Sequence, residues 1–265
     1  MRIWTVAAQK GGVGKTTTTV NLAGSLRRRG RRILMVDLDP HGSLTSYLGS
    51  NPDLVEPNAY TLFDAAGRGL HADIAQSIHP ARAEGFDLVP SSTALISLER
   101  RFGQKQGMGL VLARALQAVA DRYDFCLIDC PPTLGVLVVN ALVCCEKLIV
   151  PVQTEFLAAQ SIDRLLSTLA MIEKSRGQAL SYVVVPTMFD RRTRASNDTV
   201  EQLRLRRDIK LWGDVIPVDT QFREASRLGR PLTTWQPQAK GSQAYERLLD
   251  DVLADGGRAQ LRIVG

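Results

Sequence analysis

The sequence is poor in cysteine and aromatic residues and contains no long apolar run. Its four cysteines, Cys126, Cys130, Cys144 and Cys145, do not form a pair of CxxC units. We interpret them as buried reduced thiols rather than as redox or metal-binding groups. No apolar stretch approaches the ~20 residues that a membrane-spanning helix needs, and no signal peptide precedes the first predicted strand. These absences favour a cytoplasmic protein and argue against a disulfide-stabilised one.

Composition and charge describe an ordinary folded chain with a mild basic excess. Of 265 residues, 45% are hydrophobic, and 33 basic residues against 27 acidic ones give a formal net charge of +6. This length suits one large α/β domain or two small ones. The basic excess fits a polyanionic partner without identifying one. Because the sequence shows no repeat, low-complexity tract or interdomain linker, we predict a single domain over residues 1–265.

Short runs rich in Val, Ile and Leu alternate with segments of helical periodicity. The predicted strands cover residues 1–8, 32–37, 86–90, 125–129, 147–151, 181–186 and 211–217. The clearest helical patterns cover residues 109–123, 157–176, 198–207 and 238–254. Apolar strands that alternate with helices indicate a doubly wound α/β domain, with a mostly parallel sheet flanked by helices. Ligands of such domains bind at the carboxyl ends of the strands.

A glycine-rich loop joins the first predicted strand to a helical pattern. Its residues are Gln9, Lys10, Gly11, Gly12, Val13, Gly14, Lys15, Thr16 and Thr17. Glycines let backbone N–H groups approach phosphates closely, and the following helix adds its positive N-terminal end. The Lys15 amine can reach outer phosphates, and the Thr16 hydroxyl can bind Mg²⁺. The strict phosphate-loop pattern fails, because Gln9 occupies its first glycine position and a second lysine, Lys10, follows. A glycine-rich turn with incidental lysines is the alternative, which the strand–helix context disfavours.

Three aspartates follow apolar runs. Asp37 ends the second predicted strand and Asp39 follows two residues later, whereas Asp129 ends the fourth, directly before Cys130-Pro131-Pro132. Hydrolysis of a nucleoside triphosphate needs Mg²⁺ and a positioned water. Adjacent carboxylates beside a triphosphate would repel it without a divalent cation. The sequence therefore predicts a magnesium and nucleotide site at these strand ends. Each aspartate taken alone could instead cap a helix or a loop.

These motifs together resemble the ParA/MinD family of deviant Walker A ATPases. The nucleotide motifs that carry the resemblance are residues 10–17, 36–40 and 127–132. Residues 151–155 and 238–245 resemble further family segments, so the resemblance spans nearly the whole chain. It implies a P-loop NTPase fold with ATP and Mg²⁺ as cofactors. It also implies a homodimer that forms when ATP is bound.

The resemblance implies roles for individual catalytic residues. Lys10 would reach across the dimer to the phosphates of the other subunit, and Lys15 would bind the β- and γ-phosphates. Asp39 would orient or activate the attacking water. The remaining implied ATP contacts are Gly11, Gly12, Val13, Gly14, Thr16, Thr17, Glu155 at the dimer interface, and Thr187, Met188 and Pro217 near adenine.

The magnesium roles also come from the resemblance. Thr16 would bind Mg²⁺ directly. Asp37 and Asp129 would hold it chiefly through water molecules. A partner protein, either ParB-like or a polar adaptor, would stimulate hydrolysis.

The DNA-binding arginines of the family are only partly matched. Val218 and Gln221 stand where the family segment after the Ile-Pro strand end carries arginines. The candidate DNA contacts that remain are Arg192, Arg194, Arg204, Arg207, Arg223 and Arg227. We expect Arg204 and Arg207 to share a helical face, and Arg223, Arg227 and Arg230 to form a stripe if residues 221–230 are helical. A solvated basic face is the alternative to nonspecific DNA binding.

Further segments of the sequence indicate which members of the family the chain resembles. Residues 39–43 and 216–225 are most similar to ParA-like proteins that position chemotaxis arrays. The last helical pattern contains the acidic pair Asp250 and Asp251, which argues against the lipid-binding terminal helix of MinD-like members. We therefore expect core packing of this helix and no membrane partner.

The sequence thus predicts a slow, partner-stimulated ATPase that positions or partitions cargo. The ATP-bound dimer would bind a surface, and hydrolysis would release it. The cargo would be chromosome or plasmid DNA, or a polar protein array, with a nucleoid-associated or polar location. Two alternatives remain: a nucleotide-gated polar scaffold with little turnover, and a metabolic or metal-cluster-assembly ATPase of the same fold.

Overall fold

The computed structural model describes residues 1–71, 73–82, 85–103, 105–156 and 158–255. Residues 256–265 of the predicted domain and residue 157 of a predicted helix lie outside the described residues. Seven strands form one sheet. They are β1 (Arg2–Val6), β2 (Ile33–Asp37), β3 (His79–Pro80), β4 (Phe86–Val89), β5 (Phe125–Asp129), β6 (Lys147–Gln153) and β7 (Ser181–Thr187).

The sheet has the order β3-β4-β2-β5-β1-β6-β7, and every neighbouring pair except β3 and β4 is parallel. This confirms the predicted doubly wound α/β fold. The prediction of a strand over residues 211–217 is wrong. Among the described residues, that segment pairs as isolated bridges, from Leu211 to Val184 in β7 and from Pro217 to Phe189 beyond it. Between these bridges Gly213 and Asp214 bend the chain, and proline cannot donate to a strand ladder.

Eleven helices flank the sheet in the described part of the chain. They are α1 (Lys15–Arg28), α2 (Ser43–Tyr47), α3 (Ala59–Gly67), α4 (Ile96–Phe102), α5 (Val111–Gln117), α6 (Val136–Cys144), α7 (Ala158–Arg176), α8 (Arg194–Leu205), α9 (Gln221–Leu228), α10 (Leu232–Trp235) and α11 (Lys240–Ala254). The helix predicted over residues 109–123 is shorter, because a 3₁₀ turn at Met108–Leu110 precedes α5 and turns follow it. Because α8 ends at Leu205, Arg207 does not share its helical face, contrary to the prediction.

Each face of the sheet is covered by its own hydrophobic cluster. Along β1, Ile3 packs into one cluster, whereas Trp4 and Val6 pack into the other. Helices α3, α5, α6 and α7 cover the first face, and α1 and α11 cover the second. Burial of both faces explains why the strands are apolar throughout rather than alternating.

Helix α11 packs into the core, as predicted, and lies against α1. Leu248 and Leu249 are fully buried, and Asp250 forms an ion pair with Arg29 at 2.8 Å. Asp251 accepts a hydrogen bond from the Trp212 indole at 2.7 Å. In the described part of the chain, no helix is long and apolar enough to cross a membrane.

The four cysteines are buried, as predicted. Burial raises the pKa of the Cys126 and Cys130 thiols, so both stay protonated at neutral pH. Among the described residues, no group of three or more His, Cys, Asp or Glu side chains is arranged to hold a metal ion. Their burial favours a structural role for the thiols.

Candidate functional site

The glycine-rich loop lies between β1 and α1, at the carboxyl edge of the sheet. Gly12 and Gly14 have positive φ angles of 76° and 90°, which favour glycine. A Cβ atom on Gly11 or Gly12 would meet nothing within 4 Å, so the loop is open at these two residues. Helix α1 begins at Lys15 without a side-chain cap, which leaves its first backbone N–H groups available. This arrangement suits an anion.

Lys15 and Thr16 begin α1 directly beneath the loop. The Lys15 side chain is largely buried, with an exposed fraction of 8% for the residue, and its Nζ lies 3.5 Å from the Lys10 carbonyl oxygen. The Thr16 hydroxyl donates to Asp129 Oδ2 at 2.6 Å. The structure therefore brings together a cation, a hydroxyl and a carboxylate that the sequence predicted to meet.

Asp37 and Asp129 lie side by side, because β2 and β5 pair in parallel register and both end there. Asp37 accepts from the Thr45 backbone N–H at 2.8 Å and from the Thr45 hydroxyl at 2.7 Å. Burial raises the pKa of both aspartates, and the nearby Asp37 charge raises that of Asp129 further. Asp129 Oδ1 is buried without a hydrogen-bond partner. A buried, unpaired oxygen beside a second carboxylate suits a divalent cation, which would favour the ionised form of both groups.

Asp39 follows β2 at the same edge and is held by His41 and Ser91. Its Oδ1 accepts from the His41 backbone N–H at 3.0 Å and lies 2.9 Å from His41 Nδ1. Ser91 donates its hydroxyl to the Asp39 carbonyl oxygen at 2.6 Å. Within the described structure, Asp39 Oδ2 accepts no hydrogen bond. The second oxygen is therefore available to a water molecule.

Lys10 does not point into its own loop. Its Nζ forms an ion pair with Glu155 Oε1 and lies 3.5 Å from Gln153 Oε1. Both charged side chains are more than one third exposed. The contact places Lys10 at the outer rim of the site, where it is accessible to a second molecule.

The segments predicted to lie near adenine meet beside the loop. The Thr187 hydroxyl donates to the Val13 carbonyl oxygen at 2.9 Å. Met188 has a positive φ of 54°, and a Cβ atom on Gly14 would lie 3.9 Å from its Cε. Pro217 pairs with Phe189, the residue after Met188. A non-glycine residue held at positive φ is typical of functional sites.

Several candidate DNA-binding arginines are already engaged within the chain. Arg192 pairs with Asp190 at 2.7 Å, Arg194 with Asp198 at 3.3 Å, and Arg227 with Glu224 at 3.0 Å. Arg204, Arg207 and Arg223 form no ion pair with any described residue. Arg223 and Arg227 lie on α9 as predicted, although the helix ends at Leu228 and excludes Arg230.

Three residues of the site were not predicted from the sequence. Thr45 holds Asp37, Ser91 holds the Asp39 backbone, and His41 holds the Asp39 carboxylate. Thr45 and Ser91 lie in segments without any motif, so nothing in the sequence signals their role. His41 stands two residues from Asp39, and this proximity could have suggested the contact.

Comparison with known proteins agrees with this site. A family model described as an AAA domain matches residues 1–182. The chain is 35% identical to the sporulation initiation inhibitor protein Soj of Bacillus subtilis, over 96% of this chain and 99% of Soj. It is 34% identical to the chromosome partitioning protein ParA of Caulobacter vibrioides, over 96% of this chain and 94% of that protein.

A solved structure shares the fold over nearly the whole chain. The cobyrinic acid a,c-diamide synthase from Mycobacterium smegmatis, solved with bound ADP and magnesium, has a TM-score of 0.82 and 31% sequence identity. The alignment covers 96% of this chain and 94% of that one. The matched model, the two relatives and the geometry of the loop together show that the chain belongs to the ParA/MinD family of P-loop ATPases.

Proposed function

We propose that residues 1–265 form one ATPase domain that binds and hydrolyses ATP with Mg²⁺. The observation that carries this proposal is the open glycine loop, with Lys15 beneath it and three aspartates at the adjoining strand ends. ATP would lie with its phosphates in the loop. Its adenine would lie beside Thr187, Met188 and Pro217.

Mg²⁺ would be held by three side chains that fit it. The Thr16 hydroxyl would bind the ion directly, after turning from Asp129 Oδ2. Asp37 and Asp129 would contact it chiefly through water, with the unpaired Asp129 Oδ1 facing that shell. When bound, the ion would neutralise negative charge on the phosphates.

Asp39 would act on the attacking water. Its Oδ2 would take a proton as the water oxygen bonds to the γ-phosphorus. The bond from that phosphorus to the bridging oxygen would break, which releases ADP. Asp39 suits this step because its Oδ1 is anchored while its Oδ2 is not.

ATP would join two subunits face to face, with Lys10 acting on the phosphates of the other subunit. Lys15 already serves the phosphates of its own loop. Lys10 points away from that loop to Glu155 at the rim. On dimerisation, the phosphate of the other subunit would compete with the Glu155 carboxylate for the Lys10 ammonium group. The Lys10–Glu155 pair would therefore separate.

Lys10→Ala is expected to keep ATP binding and to lose ATP-dependent dimerisation. Calorimetry would measure ATP affinity, and light scattering with ATP would measure the dimer. Lys174→Ala, which removes an exposed lysine from α7, is the matched control and should dimerise normally. A normal dimer in Lys10→Ala would remove the proposed role in trans.

The proposed output is the partitioning or positioning of cargo, as the names of the Soj and ParA relatives suggest. A partner protein would stimulate hydrolysis and so release the dimer from its surface. The surface would be nucleoid DNA or a polar protein, and the chemotaxis-array subtype stays a prediction of the sequence. A cytoplasmic, nucleoid-associated or polar location belongs to the same proposal.

Nonspecific DNA binding is expected only from the ATP-bound dimer and only weakly. The arginines outside ion pairs, Arg204, Arg207 and Arg223, would contact phosphates without reading bases. Duplex DNA of random sequence would be titrated with Asp39→Ala protein and ATP, at low and at physiological salt. Each phosphate contact should steepen the log–log salt slope by ~0.9.

The ADP-bound protein is the control for the DNA titration and should bind less tightly. Arg204→Ala and Arg223→Ala should each flatten the slope by about one contact. No binding at low salt, or a flat slope, would assign the surface to a polar protein. The arginines would then form a solvated face.

A metabolic ATPase is the second candidate, because the solved Mycobacterium smegmatis structure carries a synthase name. Such an enzyme needs a further substrate for full turnover. Multiple turnovers by the purified chain with ATP and Mg²⁺ alone, without a further substrate, would favour the partitioning ATPase over the metabolic one. A single-turnover measurement of the same sample would also separate an ATPase from a scaffold that binds ATP without hydrolysing it.

A further inference from the structure

His41 lies at the tip of a turn that begins at Asp39. The Gly42 N–H donates to the Asp39 carbonyl oxygen at 2.8 Å and closes the turn. Pro40 has a restricted φ angle, and a Cβ atom on Gly42 would lie 2.5 Å from the Pro52 side chain. Ser91 binds the Asp39 carbonyl oxygen from another segment. The backbone that carries Asp39 and His41 is therefore closely constrained.

The two side chains meet on this turn in one defined way. His41 Nδ1 lies 2.9 Å from Asp39 Oδ1, and the His41 backbone N–H donates to the same oxygen at 3.0 Å. An ionised carboxylate only accepts hydrogen bonds, so the ring must donate from Nδ1. The His41 side chain is 79% exposed, whereas that of Asp39 is 12% exposed. Because the His41 side chain is exposed, packing in a core does not account for its contact with Asp39.

We propose that His41 is a positioning residue for hydrolysis, which fixes the Asp39 carboxylate by holding Oδ1 and so directs Oδ2 toward the attacking water. This inference rests on the proposed ATPase function. Among the described residues, the His41 ring forms no hydrogen bond with the loop or with the two aspartates that would hold Mg²⁺. Its effect would therefore fall on turnover and not on nucleotide binding.

The backbone N–H of residue 41 remains in any variant, so removal of the ring loosens Asp39 without releasing it. We expect His41→Ala to lower kcat about tenfold, part of the ~10²–10⁴-fold that a positioned base contributes. The Kd for ATP should not change. His71→Ala, at an exposed histidine far along the sequence from the site, is the matched control and should keep wild-type kcat.

Chemical rescue separates positioning from a general structural role. Because the ring is exposed, imidazole added to His41→Ala can occupy its place, and kcat should rise with imidazole concentration. His41→Gln, which keeps a side-chain donor, should retain more activity than His41→Ala. Wild-type kcat in His41→Ala, or a loss that neither imidazole nor glutamine reduces, would overturn the inference.

A spectroscopic measurement tests the contact without turnover. Nitrogen NMR of protein labelled in histidine should show the His41 ring protonated at Nδ1 in the wild type. Asp39→Ala should abolish that preference. A wild-type ring protonated at Nε2 alone would overturn the inference. Unchanged ATP affinity in Lys15→Ala would instead overturn the proposed ATPase site, so the two failures are distinguishable.

Discussion

Lys15→Ala should abolish measurable ATP binding. Lys15 lies largely buried at the start of α1, beneath a glycine loop that is open at Gly11 and Gly12. This variant loses the buried positive charge that would pair with the phosphates. The cost of removing the phosphates from water on binding remains. Truncation of one member of a buried charge pair costs about 2–5 kcal/mol, and each 1.4 kcal/mol is about tenfold in Kd.

Isothermal calorimetry with ATP and Mg²⁺ would measure this loss. Lys174→Ala, an exposed lysine on α7, is the control for removal of one positive charge and should bind ATP as the wild type does. Circular dichroism would show whether Lys15→Ala remains folded. Unchanged affinity in a folded Lys15→Ala protein would contradict the phosphate-loop assignment.

Asp39→Ala should keep ATP binding and lose most of its turnover. Asp39 lies beside the site with one oxygen unengaged, and no described contact joins it to the loop. Positioned general bases contribute ~10²–10⁴-fold to rate, so we expect a fall in kcat of that order. The variant should accumulate as an ATP-bound dimer, because hydrolysis is the step that would release the two subunits.

Turnover of Asp39→Ala would be measured as phosphate release under saturating ATP. Asp121→Ala, which removes an exposed aspartate between α5 and β5, is the matched control and should hydrolyse ATP normally. If Asp39→Ala turned over at the wild-type rate, another residue would have to place the water. The His41 inference would then fail as well.

The chemistry of the site was largely predictable because its motifs are local. The glycine loop and Lys15 are contiguous, and Asp37 and Asp129 end runs that are apolar enough to mark strands. The parallel register of β2 and β5 then brings the two aspartates together. Sequence periodicity indicated this arrangement, since strands that alternate with helices put their carboxyl ends on one edge.

The remaining contacts depend on tertiary structure. Ser91 reaches Asp39 from 52 residues away, and Thr45 reaches Asp37 from a five-residue helix that has no sequence signal. The apolar segment at residues 211–217 resembled a strand, yet it forms isolated bridges rather than a continuous ladder. The ion pair of Lys10 with Glu155 spans 145 residues and could not be inferred from the loop alone.

Sedimentation of Asp39→Ala protein with ATP, with ADP and without nucleotide would show whether ATP joins two subunits. We expect a dimer with ATP and Mg²⁺ and a monomer in the other two samples. The double variant Lys10→Ala/Asp39→Ala should remain a monomer with ATP while still binding it. A monomer of Asp39→Ala with ATP, or the same mass in all three samples, would contradict an ATP-driven dimer.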